Sequence, residues 1–137
     1  MAATFHLSVV APDRSVVETT VTSVTAPGVD GYFGVMAGHA AQIAALKPGL
    51  LEYLDAGGTR HYVHCGGGFA EVSPSKVTIL ADEAIPAREI DIAKAEEMVE
   101  SARRVLRGES ADMTTPEARQ QLEIALNRVR TARAVKS

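Results

Sequence analysis

The stretch VTILADEAIPAREIDIAKAEEMVESA, residues 77–102, changes its rhythm halfway. Before Pro86 the apolar side chains alternate: Val77 and Ile79 flank Thr78, the period of a half-buried strand. Beyond Asp91, Ala95, Met98, Val99 and Ala102 recur three, four and seven positions apart, as on one face of a helix, and Val105 and Leu106 continue the row. Asp91 is an N-cap whose carboxylate can accept the unpaired amides of a first turn. Arg103, Arg104 and Arg107 suit the carbonyl end of the same helix, and Gly108 is a natural stop. The chain therefore divides near residue 86, with strands before it and helices after it.

Upstream of this stretch the strand rhythm persists. Phe5, Leu7 and Val9 alternate with His6 and Ser8, and Val63 and Cys65 alternate with Tyr62 and His64. Turn signals recur at Pro12-Asp13, Asp30-Gly31, Pro48-Gly49, Gly57-Gly58, Gly66 to Gly68 and Pro74, a spacing that predicts an antiparallel sandwich or barrel. Downstream, Thr114-Thr115-Pro116-Glu117 predicts a second helix start. Ala118, Leu122, Ala125, Leu126, Val129 and Ala132 form its stripe, and the short loop makes the two helices an antiparallel hairpin. About half of the stripe positions are alanine. A buried Leu or Val contributes roughly 1.5–3 kcal/mol and an alanine methyl much less, so the hairpin is expected to close and open easily.

Composition excludes several classes. The 137 residues are 46% apolar, enough for a core, but only 4% aromatic with no Trp, which argues against a base-stacking nucleic-acid surface. Net charge is -3, without a polyanion-binding signature. Residues 87–137 are more basic than residues 1–86, and Arg128, Arg130, Arg133 and Lys136 follow Asn127 without an intervening acid. Such a basic tip either complements a helix dipole or meets an acidic partner. The single Cys65 cannot form an internal disulfide, which fits a reducing compartment. No apolar run approaches the ~18 residues that cross a bilayer, and no secretion signal is visible.

Chemical candidates are sparse. His61, His64 and Cys65 are potential metal ligands, but strand alternation puts His61 and Cys65 on one face and His64 on the other. Gly66-Gly67-Gly68 lacks the Lys-Ser/Thr of a phosphate loop and is followed by the strand-like Phe69-Ala70-Glu71-Val72, which predicts a bend or close backbone approach. His39, within Val35-Met36-Ala37-Gly38-His39-Ala40, has no nearby carboxylate or second ligand, and a structural turn role and a contact role both fit it. No nucleophile–base pair can be assembled.

Several of these segments, in order, resemble one family. Phe5–Pro12 is similar to its opening strand, and Gly34-Val35-Met36-Ala37-Gly38-His39-Ala40 to its Gly-hydrophobe-x-Pro-Gly-His-Ala-Pro loop. Leu46–Leu51, Gly67–Val72 and Val77–Asp82 follow in the family's order. The family is the epsilon subunit of the F-type rotary ATP synthase. The resemblance implies an α+β fold, a ten-stranded antiparallel β-sandwich over residues 1–86 followed by a two-helix hairpin over 87–137. It implies a non-catalytic rotor subunit that joins the gamma subunit to the c-ring and couples proton translocation to ATP synthesis. Its place would be peripheral, on the cytoplasmic face of a bacterial plasma membrane, with no membrane insertion and no nucleic-acid partner.

The resemblance also implies sites. Val29, Asp30, Tyr32, Met36, Gly38 and His39 would face the c-ring, although Ala37 and Ala41 stand where the family usually has prolines. Arg128, Arg130 and Arg133 would form an inhibitory basic tip toward the alpha and beta catalytic subunits. Some members bind ATP on the hairpin through an Ile/Leu-Asp-x-x-Arg-Ala motif, which Asp91, Lys94, Ala95 and Arg128 match in part. Lys94 replaces an arginine and cannot offer a guanidinium fork, and Ser101 and Ile124 stand where further arginines occur, so ATP binding is expected to be weak or absent, with no resident cofactor. A small hydrolase or metal enzyme using His39, His61, His64 and Cys65, and a free-standing adaptor sandwich, are the competing expectations.

Overall fold

A computed structural model describes residues 3–135. Seven strands precede the helices: β1 (Phe5–Ala11), β2 (Arg14–Gly28), β3 (Gly31–Met36), β4 (Gln42–Asp55), β5 (Arg60–Val72), β6 (Lys76–Ala81) and β7 (Ala84–Pro86). A single turn of 3-10 helix, Ala87–Glu89, leads to α1 (Ile92–Leu106) and α2 (Thr115–Ala134). Five strands close a circuit in the order β1-β6-β5-β4-β2, with β1 pairing back onto β2. β3 extends from β2, and β7 pairs with β5.

Two sequence expectations are corrected here. Among the described residues seven strands stand in place of ten, because β2, β4 and β5 run unbroken for 15, 14 and 13 residues. Bulges let them bend: the β2–β4 register shifts between Val21 and Ser23 and again between Thr25 and Gly28. The sheet is also not wholly antiparallel, since β1 and β6 pair in parallel. A closed ring with an odd number of strands cannot alternate direction all the way round, so one pair must run together.

Alternation places the core as expected. Leu7, Val9, Val21, Leu51, Val63, Cys65, Ile79 and Val77 point inward and are essentially sealed from solvent. Burial pushes the Cys65 thiol up to about 11, so it is a packing group with little thiolate character. The three successive glycines have a mechanical use. β5 pairs with β7 through Val63–Cys65 and with β6 from Gly68 onward, changing partner at the glycines. Gly67 and Gly68 take φ of 103° and 132°, and a Cβ on Gly68 would lie 2.1 Å from the Leu80 carbonyl oxygen.

The helices begin where the sequence places them. Asp91 Oδ1 accepts from the Lys94 backbone N–H at 3.1 Å. Thr114 and Glu117 form a reciprocal capping box. Gly108, with φ of 78°, follows the end of α1. Ala95, Val99, Ala102 and Val105 bury against Ala118, Ala125, Val129 and Ala132 on the facing helix. Leu106 and Leu126, expected in these stripes, instead lie 36% and 43% exposed. α2 is the helix that rests on the barrel, against β4, β5 and the 3-10 turn, while α1 packs chiefly on α2.

Substituting Gly68→Ala is expected to lower stability by at least about 2 kcal/mol, because a left-handed position and a backbone clash coincide. Chemical denaturation checks this; a midpoint unchanged from wild type would remove the partner-switch role of the glycines.

Candidate functional site

The contact between helix and barrel centres on one carboxylate. Glu83 lies in the short link between β6 and β7, and its Oε1 is 2.8 Å from Nε2 of His64 on β5. Arg128 of α2 donates side-on to the same carboxylate, Nε to Oε1 at 3.0 Å and Nη2 to Oε2 at 2.7 Å. The remaining nitrogen of Arg128, Nη1, is 3.1 Å from Met98 Sδ on α1. His64 is completely buried, the Arg128 side chain is 17% exposed and Glu83 36%.

A second set of bonds fixes the imidazole. Asn127 Nδ2 is 2.8 Å from His64 Nδ1, and Arg130 Nη2 donates to Asn127 Oδ1. A guanidinium only donates, so Oδ1 is the acceptor and Nδ2 faces His64. Nδ1 therefore accepts, and the imidazole proton sits on Nε2, aimed at Glu83. Donation runs from Arg130 to Asn127 to His64 to Glu83, and Arg128 donates to the same carboxylate from the other side. Thr131, one turn beyond Asn127, is also buried and bonds to the Asn127 carbonyl at 2.8 Å.

This arrangement alters the reading of the basic tip. Arg128, Arg130 and Arg133 are not free cations in this pose. Arg128 is held by Glu83, Arg130 by Asn127, and Arg133 lies 3.8 Å from Glu96 across the hairpin in an exposed pair. Lys136 lies outside the described residues. The residues matched to a nucleotide motif do not form an open site either: Asp91 caps α1, Lys94 is exposed, Ala95 is buried in the helix interface and Arg128 is taken by Glu83.

The expected ring-facing residues are spread over a turn, a strand and a second turn. Val29 and Asp30 form the β2–β3 tip, β3 follows over Gly31–Met36, and Gly38 and His39 sit in the next turn. The two ends are on the order of 20 Å apart. Tyr32 and Met36 share one face of β3 and are 49% and 68% exposed. The Tyr32 hydroxyl also accepts from the Leu50 backbone N–H at 2.9 Å, which folds its ring back over β4. His39 bonds only locally, with Nδ1 2.9 Å from the Ala40 carbonyl oxygen.

A row of outward apolar side chains went unread in the sequence. Val10, Leu80, Phe69 and Ala45 are register partners across β1, β6, β5 and β4, and Ile43 adjoins them. Ile43, Phe69 and Leu80 are 76%, 56% and 50% exposed. The signal was present: β6 carries apolar residues at successive positions, Ile79 inward and Leu80 outward, where a solvated face would be polar.

The remaining candidates are ordinary strand residues. His61 lies 2.7 Å from Asp55 and stacks on Tyr53 at 4.7 Å between ring centroids. A cleft of about 510 Å³ at the end of the barrel is lined by Arg60, His61, Arg88 and Glu89 among others. Arg60 is paired with Glu52, His61 with Asp55 and Glu89 with Arg14. Among the described residues no three His, Cys, Asp or Glu side chains group as a metal site, and no helix is long and apolar enough to cross a membrane.

The hydrogen bond from His64, aided by Arg128 and opposed by burial, pulls the Glu83 carboxyl down to about 2 from its ordinary 4.5. A depressed carboxyl stabilises the folded form only while ionised. Its contribution is therefore complete above about pH 4.5 and fades as pH falls toward 2. Acid titration followed at α2, by amide shifts of Asn127 and Arg128, should show helix docking weaken in that window; docking that is flat from pH 5 to the acid limit of the barrel would contradict the geometry.

The chain can now be set beside known proteins. The family described as ATP synthase, Delta/Epsilon chain, beta-sandwich domain matches residues 4–87. An ATP synthase epsilon chain of Nitratidesulfovibrio vulgaris (strain DP4) is 40% identical over 130 residues, covering 95% of this chain and 96% of that one. One from Lawsonia intracellularis is 42% identical over 110 residues, covering 80% and 82%. A chain in the cryo-EM structure of Euglena gracilis mitochondrial ATP synthase, OSCP/F1/c-ring in rotational state 1, matches with a TM-score of 0.75 and 32% identity, over 100% of this chain and 84% of that one. A chain of the Tetrahymena thermophila mitochondrial ATP synthase central stalk/c-ring, at 14% identity and a TM-score of 0.60, shares the fold. A family match over the barrel and relatives matching along nearly the whole length agree: this chain belongs to the epsilon-chain family of the F-type ATP synthase, a family of non-catalytic central-stalk subunits.

Proposed function

We propose that this chain joins the gamma subunit to the c-ring of a proton-translocating ATP synthase, with residues 1–86 as the coupling body and residues 87–137 as a movable arm that restrains ATP hydrolysis. The complex would lie on the cytoplasmic face of a bacterial plasma membrane. The observation that carries the coupling role is the outward apolar row of Val10, Leu80, Phe69, Ala45 and Ile43 on a closed barrel. Contiguous exposed apolar surface of this kind marks an interaction site. The gamma subunit is the occupant this reading assigns to it. Torque needs a stiff body with a broad contact, and strands closed into a ring supply stiffness without a nucleophile.

The ring-facing role falls to the outer edge of β3, with Tyr32 and Met36 on the strand, Val29 and Asp30 at one end, and Gly38 and His39 at the other. In the docked pose described above the arm's arginines are occupied. Extension of the arm would release Arg128, Arg130 and Arg133 together toward acidic surfaces of the alpha and beta subunits. ATP binding by the arm is read as weak or absent, because Glu83 already occupies the Nε/Nη2 edge of Arg128 and Met98 Sδ lies against Nη1.

Two variants separate these roles. Phe69→Asp with Leu80→Asp is expected to weaken binding to the gamma subunit by at least about tenfold while the isolated chain keeps its melting temperature. Co-purification at wild-type level would remove the docking row. Arg133→Glu breaks only an exposed pair of little energetic weight, so stability should hold while ATP hydrolysis by the assembled enzyme rises. Hydrolysis at the wild-type rate would count against an inhibitory tip at this residue.

A further inference from the structure

We infer that His64 and Arg128 together form a carboxylate site whose occupant is the chain's own Glu83, so that the hairpin docks on the barrel without any added ligand. This rests on the reading of residues 87–137 as a movable arm, and it names what holds that arm.

Three N–H donors converge on one carboxylate: Nε2 of His64 from the barrel, and Nε and Nη2 of Arg128 from α2. The donors come from the two bodies that must separate, and the acceptor sits between them on the β6–β7 link. His64 cannot turn away, because Asn127 holds its other nitrogen and Arg130 holds Asn127. Arg128 is backed by Met98 of α1, so the site also spans the two helices of the hairpin. What remains around this contact is modest in apolar terms: only alanines and three valines, Val99, Val105 and Val129, are fully buried along the hairpin, and Asn127 and Thr131 are buried on α2 beside them. The ion pair is thus the contact that selects the docked pose.

Two consequences follow from the chemistry. With Glu83 in place, the Nε/Nη2 edge of Arg128 is taken and Met98 lies against Nη1, so the docked state is expected to be indifferent to a nucleotide or phosphate. With Glu83 shortened, the donors are left facing a gap that a small carboxylate can fill from solution. The Glu83 side chain is 36% exposed, which gives such an anion a path.

The test uses the isolated full chain carrying spin labels at Thr59→Cys and Glu97→Cys, both exposed positions on the barrel and on α1. Cys65 is buried and stays unlabelled. Wild type at Glu83 is expected to give one docked distance, unchanged by formate, phosphate or ATP. Glu83→Ala should raise the undocked population by at least about tenfold, and sodium formate, but not sodium chloride at equal ionic strength, should restore the docked distance. Glu83→Gln keeps the shape without the charge. It should also release the arm but resist rescue by formate, because its amide fills the gap. An undisturbed distance in both variants, or a released Glu83→Ala arm that formate does not recover, overturns the site. Measuring ATP hydrolysis of the assembled enzyme with Glu83→Ala keeps the two readings apart. Release without any change in hydrolysis leaves the latch standing and removes the regulatory reading; a change in hydrolysis on hairpin deletion without release in Glu83→Ala does the reverse.

Discussion

The position of the helices depends on a single ion pair in a partly buried place, Glu83 with Arg128, seated on a buried histidine. Such pairs contribute little net energy, because two charges must leave water before they attract one another. Their effect is on choice of pose. An alanine-lined helix can slide or rotate at small cost, whereas a forked guanidinium on a carboxylate accepts one orientation. Removing one partner strands the other, so the contact behaves as closed or broken with little between. That property suits an arm that must be held and then let go.

Barrel geometry puts the latch and the apolar row on the same two strands. The late half of β4 and the early half of β5, around Leu50 and His64, lie under α2. The early half of β4 and the late half of β5, around Ile43 and Phe69, are bare. Gly66 to Gly68 mark the bend between the halves, where β5 exchanges β7 for β6. One continuous ladder thus connects the bare apolar row with the surface under α2. The ring β1-β6-β5-β4-β2 is closed, with β3 and the short β7 paired on one side only, which limits internal give.

Local features were legible in the sequence, and non-local ones were not. The caps at Asp91 and Thr114, the stop at Gly108 and the change of period near Pro86 depend on neighbours within a turn, and the structure has each of them. The strand count was misjudged because a bend inside a long strand looks like a turn between two short ones until the pairing partners are known. The parallel β1–β6 pair follows from ring closure, which no window of residues contains. The latch joins residues 63 and 45 positions apart, His64 with Asn127 and Glu83 with Arg128. From Asn127 onward the sequence has no acid, and that made the arginines look unpaired; Glu83 and Glu96 reach them through space. Asn127 and Thr131 lie off the alanine stripe on a second buried face of α2, which a one-stripe reading of the helix treats as solvated.

Native-state hydrogen exchange on the isolated chain measures most directly whether barrel and arm are separable bodies. Amides of α1 and α2 are predicted to exchange through a shared opening of lower free energy than the core strands, with Leu7, Val63 and Ile79 exchanging only on global unfolding. Helix amides that exchange in step with those core strands would mean that the arm never leaves the barrel while the barrel is folded, and would contradict a releasable latch.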